Sequence, residues 1–165
     1  MFNVSDDSNY MCYYTGSFNK DRKSGRNGKE TCISKENYQG LKKLVDTHDY
    51  QMTKQKGYEQ YTGDFKDGVY HGMGQFWEKD NEMYEGMFHQ GKRHWFGILR
   101  KPDGRVYLGG WKEGTPEGEG IFINENLVKW EGNMKEGKAD GIGMITIGKE
   151  GPKMKGFLED AVNMN

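Results

Sequence analysis

The 165 residues carry 24 lysines and arginines against 25 aspartates and glutamates, a net charge of −1 that excludes a cationic nucleic-acid module. Only 33% of residues are hydrophobic while 25 are glycines, so an array without one central core is compatible with the composition and most glycines need a geometric reason. No continuous apolar run is long enough for a membrane helix, and no basic-then-apolar leader precedes Cys12 and Cys32; free thiols in a reducing compartment and a soluble cytoplasmic protein are expected.

Residues 1–57 read as divergent repeats or a cap. Tyr14-Thr-Gly-Ser-Phe18 is an aromatic-x-Gly-x-aromatic strand. Gly25 stands where a later Gly-x-Gly pair begins, but Asp21 replaces the turn glycine and Asn27 the second glycine of the pair. Tyr38-Gln-Gly40 opens a second weak unit, with Lys42 where a large apolar residue is expected and Val45, Asp49 and Gln51 at glycine positions. This stretch is either two divergent repeats or one repeat followed by an irregular cap, with a short helix over 39–48 as an alternative. Terminal units of an array must stop further stacking, which suits a capping role.

Residues 58–147 are regular. Tyr61, Tyr84, Tyr107 and Trp130 recur every 23 residues, each followed two positions on by Gly63, Gly86, Gly109 or Gly132. Phe65, Phe88, Trp111 and Met134 come four positions after the anchor, and Gly68, Gly91, Gly114 and Gly137 seven after. A Gly-x-Gly pair follows at Gly72/Gly74, Gly118/Gly120 and Gly141/Gly143, with Trp95 in place of the first glycine before Gly97. Spacings of two put the anchor, its glycine and the next large residue on one strand face. The glycine seven positions on marks a tight turn, and the Gly-x-Gly stretch returns as a second strand. Hairpins of this kind are marginal alone and stack with their neighbours. The expected fold is all-β, an elongated single-layer array of antiparallel hairpins with divergent terminal caps.

Residues 148–165 lose the register. Lys153 occupies the next anchor position, and a shift by one gives Met154-Lys-Gly156, a degenerate final strand before a short tail.

Tyr107-Leu-Gly-Gly-Trp-Lys-Glu-Gly-Thr-Pro-Glu-Gly-Glu-Gly120 closely resembles the MORN repeat, the membrane occupation and recognition nexus motif. Tyr61 to Gly74 and Trp130 to Gly143 resemble it strongly, and Tyr84 to Gly97 resembles it apart from Trp95. The resemblance implies a β-hairpin array that organises protein complexes, with associations to cytoskeletal structures, cilia, membrane junctions and lipid-linked enzymes.

The aromatic positions are the candidate protein-binding residues: Trp95, Tyr84, Tyr107, Trp111 and Trp130. They either line a one-sided groove that takes a partner helix or extended peptide, or hold the sheet together. Trp95, flanked by Arg93, His94 and Phe96, either projects as an anchor or marks local repacking; tryptophan and arginine are frequent at energetic interface centres. Phe96 is expected on the opposite face from Trp95. His71, His89 and His94 have no metal-motif spacing, the glutamates at 85, 117, 119 and 131 have no catalytic partner in pattern, and Gly25 to Gly28 lack the Gly-Lys-Ser/Thr ending of a phosphate loop. No catalytic residue, cofactor or metal is expected. The function expected is a non-catalytic scaffold or adaptor that binds a protein partner, in a cytoskeletal or ciliary complex. The alternative is a peripheral membrane adaptor, its basic cluster Lys20, Arg22, Lys23, Arg26 and Lys29 meeting anionic phospholipid.

Overall fold

Alternation along each strand decides the architecture, and the computed structural model of the chain shows how. It describes residues 2–3, 10–34, 58–78, 80–148 and 151–157. The elements are β1 (Phe2–Asn3), β2 (Tyr10–Asn19), β3 (Arg22–Ser34), β4 (Tyr58–Lys66), β5 (Val69–Trp77), β6 (Met83–His89), β7 (Lys92–Arg100), β8 (Val106–Lys112), β9 (Thr115–Ile123), β10 (Val128–Lys135), β11 (Lys138–Ile147) and β12 (Lys153–Gly156). No helix occurs among the described residues. Two compact units divide the chain, Met1–Met83 and Tyr84–Asn165. In the first, β2, β3, β4 and β5 pair antiparallel in sequence order. In the second, the strands from β6 to β12 also follow in sequence order. The fold class is all-β, an array of antiparallel hairpins.

Each regular hairpin closes through a two-residue turn. Glu113 and Gly114 both have positive φ, 51° and 92°, and Glu136 and Gly137 repeat this at 50° and 79°. Two left-handed residues define the type I′ turn, whose twist matches that of the flanking strands. In the first hairpin Lys20 and Asp21 adopt the same geometry without a glycine, at 47° and 63°.

The anchors explain the paired glycines. Gly109 and Gly120 face each other across β8 and β9, and the Tyr107 ring lies over them. A Cβ on Gly120 would stand 2.5 Å from that ring. The Tyr107 hydroxyl donates to the Gly110 carbonyl at 3.0 Å. Tyr61 and Tyr84 make the same bond to Asp64 and Met87, at 2.8 and 3.0 Å. Trp130 fills the equivalent place, but its Nε1 lacks a hydrogen-bond partner. Trp111 sits edge-on to Tyr84 and Tyr107, 5.2 and 5.3 Å between centroids, and donates from Nε1 to the Gly97 carbonyl at 3.3 Å. Burying rings of this size contributes on the order of 2–3 kcal/mol each. Backbone bonds add to the stacking: the Gly114 N–H donates to the Arg93 carbonyl and the Gly137 N–H to the Pro116 carbonyl, at 2.9 and 3.0 Å.

Two expectations need correction. Cys12 and Cys32 are not free thiols: they face each other across β2 and β3, Cα atoms 4.1 Å apart, and form a disulfide. The pairing register, invisible in a separation of 20 residues, brings them together. Gly28, not the Asn27 position, supplies the second small residue of the first hairpin. A bulge between Gly25 and Gly28 shifts the register, and Gly28 pairs with Gly63 beneath the Tyr14 hydroxyl and the Phe65 ring. β3 pairs directly with β4, so the Tyr14 and Tyr61 hairpins are neighbours in the sheet. The Tyr38 unit and the helix alternative over 39–48 lie outside the described residues. At the other end β12 pairs with β11 through Ile145↔Met154.

Candidate functional site

The second regular repeat, β6 and β7, departs from both neighbours at three positions, His89, Arg93 and Trp95, and repeats the preceding His71 as His94; the fold brings His89, His94 and Trp95 together. Nine residues after the anchor, Tyr61 is covered by Tyr70, its ring stacked at 3.8 Å. The equivalent of Tyr70 after Tyr107 is Pro116, and after Tyr84 it is Arg93. The Arg93 guanidinium lies over both Tyr84 and Trp111, at 5.2 and 5.3 Å from the ring centroids. Burial pushes its pKa down to about 10, and the guanidinium stays charged at neutral pH. The electron-rich ring faces offset part of the cost of that burial.

Trp95 is the strained member. Gly72, Gly118 and Gly141 hold the equivalent position with φ of 62°, 80° and 81°, and Trp95 adopts 56° in the same place. The left-handed region costs a residue with a Cβ roughly 1–2 kcal/mol. Its ring is 52% exposed and stands against His94 at 4.8 Å and His89 at 5.4 Å.

His89, His94 and Glu113 form the third feature. The Glu113 backbone N–H donates to His94 Nδ1 at 3.3 Å, and Glu113 Oε1 lies 3.6 Å from the same nitrogen. Lys92 Nζ binds Glu113 Oε2 at 2.8 Å. That hydrogen bond first, then the charge of Lys92, holds the Glu113 carboxyl below its usual range. The His89 and His94 rings are 5.4 Å apart.

The opposite face of the same unit carries an open groove of about 510 Å³. Phe96, Leu108 and Ile121 supply its apolar floor, with Glu119 and Glu131 among its lining. Strand register puts these side chains on one face: Phe96 pairs with Gly110, Leu108 with Ile121, and Ile121 with Glu131. Phe96 is 57% exposed.

The structure therefore separates the five candidate aromatics. Tyr84, Tyr107 and Trp130 are 0% exposed and Trp111 is 3% exposed. They are enclosed in the packing, where a partner reaches none of them unless the sheet opens. Trp95 alone among the five presents its ring. Phe96, which sequence reasoning treated only as its neighbour, lines the groove instead. The convergence of His89 with His94 and Glu113 also went unseen. Aligning the repeats at positions five, nine and eleven after the anchor would have gathered His89, Arg93 and Trp95 as departures, with His94 repeating His71 at position ten. The basic cluster is reduced: Lys23 pairs with Glu30 and lies over the Tyr14 and Phe65 rings, while Lys20, Arg22 and Arg26 remain exposed.

The family model described as MORN repeat matches residues 61–81, 84–104, 107–126 and 130–148. No curated protein sequence matches the chain.

Proposed function

Because the chain belongs to the MORN-repeat family, whose repeats generally mediate protein or lipid interactions, we propose that it is a non-catalytic scaffold or adaptor that binds a protein partner through the groove over β7 to β10. The observation that carries this reading is the groove itself. Phe96, Leu108 and Ile121 offer apolar surface on a sheet face whose opposite side is packed. Glu119 and Glu131 favour a partner segment with basic residues flanking an apolar stripe. A helix or an extended peptide supplies such a stripe. The family resemblance directs attention to cytoskeletal and ciliary assemblies in the cytoplasm as the setting.

The test is purification of the assembled complex from native cells, with contacting chains identified by cross-linking. Phe96→Ser should then weaken affinity for the identified chain at least about tenfold while the thermal midpoint stays unchanged. Unchanged affinity rejects the groove as the binding surface. A thiol titration of acid-quenched cell extract bears on the compartment. The Cys12–Cys32 disulfide of the structure, if retained in the cell, speaks against the cytoplasmic setting, and its recovery as two free thiols supports it.

A second reading, attachment to anionic phospholipid, draws on the exposed cations Lys20, Arg22 and Arg26 around one hairpin turn. It predicts salt-sensitive binding to anionic but not neutral liposomes, lost when Lys20 and Arg26 are reversed to glutamate. Equal behaviour toward both liposomes removes it.

A further inference from the structure

We propose that His89, His94 and Glu113 form a site for a divalent transition-metal ion, zinc foremost, with the Trp95 ring as one wall. Each residue offers one ligand atom, and the three atoms lie within 4.8 Å of one another. His94 Nδ1 and Glu113 Oε1 are 3.6 Å apart. Two ligands about 2.0–2.1 Å from a tetrahedral ion stand roughly 3.3 Å from each other, so the set closes by a side-chain rotation in which His94 Nδ1 exchanges the long Glu113 N–H bond for the ion. Two imidazoles and one carboxylate suit zinc, nickel or copper and disfavour magnesium and calcium, which take oxygen ligands. Three protein ligands leave a fourth position for water or a donor from a partner.

A second observation shows that the fold does not require this set. In the next repeat the three equivalent positions carry Lys112, Glu117 and Glu136. There Glu117 Oε2 accepts the Glu136 N–H at 3.0 Å, the same bond that His94 accepts from Glu113. The hairpin turn needs only an acceptor ten residues after the anchor. At the position of His89 the other regular repeats carry Lys66, Lys112 and Lys135. The surroundings also favour an ion. Lys92 holds Glu113 Oε2, which leaves Oε1 toward His94 and fixes the carboxylate as a single-oxygen ligand. The Trp95 ring meets His94 edge-on at 86° and restricts solvent on that side.

Calorimetric titration of the full chain with Zn²⁺ should show one ion bound per chain, with no response to Mg²⁺. His89→Lys installs the residue found in the neighbouring repeats, and His94→Gln keeps an acceptor for the Glu113 N–H. Both variants should fold, as read by circular dichroism, and each should lose at least about tenfold in zinc affinity. Co²⁺ should give visible absorption bands of a tetrahedral complex in the wild-type chain that vanish in either variant. The proposal is overturned if the folded wild-type chain binds no zinc. It is equally overturned if zinc binds both variants as tightly as wild type, which places the ion elsewhere. Should one variant fail to fold, the other decides alone.

Discussion

The hairpins begun by Tyr84 and Tyr107 are neighbours in one unit and share a backbone plan, yet they differ in what they do with its positions. The Tyr107 hairpin keeps to the pattern: Pro116 nine residues after the anchor, Glu117 capping the next turn, Gly118 at the left-handed position. The Tyr84 hairpin puts Arg93, His94 and Trp95 there. Both anchors are fully buried and both hydroxyls donate to the backbone carbonyl three residues on, Met87 and Gly110. What is common to the two hairpins is therefore the packing, and what differs lies largely at the surface. An array specified by nearest-neighbour contacts can absorb such local departures as long as the anchor, its glycines and the turn are kept.

Breaking what the two hairpins share should have the largest effect. Trp111 touches both anchors, so Trp111→Ala removes a contact on which the two repeats depend together. The expected loss is about 3–5 kcal/mol in urea unfolding, from lost transfer energy and the cavity left behind. A loss below about 1 kcal/mol would show that the two hairpins do not rely on this ring.

Next comes the space beneath an anchor. Gly120→Ala places a Cβ 2.5 Å from the Tyr107 ring, which is held by its own hydrogen bond and cannot swing aside freely. About 1–3 kcal/mol of destabilisation is expected from overpacking. Gly118→Ala, two residues earlier and with open space around its Cβ, should cost less, since only the positive φ opposes it. Equal losses at 118 and 120 would contradict the role assigned to the ring.

Tyr107→Phe sharpens the shared hydrogen bond, at a cost of about 1 kcal/mol near neutral pH. It has a pH signature. Desolvation first, then the charge of Glu117, raises the Tyr107 hydroxyl from 10.0 to about 12. A raised folded pKa means that the native state keeps a proton the unfolded chain releases. The contribution is intact below pH 10 and is lost as the pH rises through 12. The wild-type unfolding midpoint should fall across that window, and Tyr107→Phe should flatten the fall. An unchanged slope would show that Tyr107 ionises freely in the native protein.

Much of this fold is legible in the sequence because the repeat writes the same constraint several times. The anchor, the paired glycines and the turn glycine recur at fixed spacing and give strand faces, hairpins and their order directly. Cys12 and Cys32 were misread because their meeting depends on the exact pairing of β2 with β3, where a bulge alters the count. The burial of Tyr84, Tyr107, Trp111 and Trp130 could not be separated from groove exposure, since alternation places them on one face without saying what covers it. A groove was expected, but its lining was missed for the same reason: Phe96, Leu108 and Ile121 come from different strands and meet only through register. Trp95 was legible as a departure, but its left-handed backbone and its edge-on and tilted contacts with two histidines emerge only in the fold.

The central claim is that Trp95 occupies a strained backbone position with a half-exposed ring and contributes little to stability. Equilibrium unfolding of Trp95→Gly tests it most directly. Glycine restores the residue of the neighbouring repeats and relieves about 1–2 kcal/mol of backbone strain, which offsets the packing lost with a half-exposed ring. The account predicts a stability within about 1 kcal/mol of wild type. A loss of about 3 kcal/mol or more, comparable to that expected for Trp111→Ala, would make Trp95 a packing residue and contradict the claim.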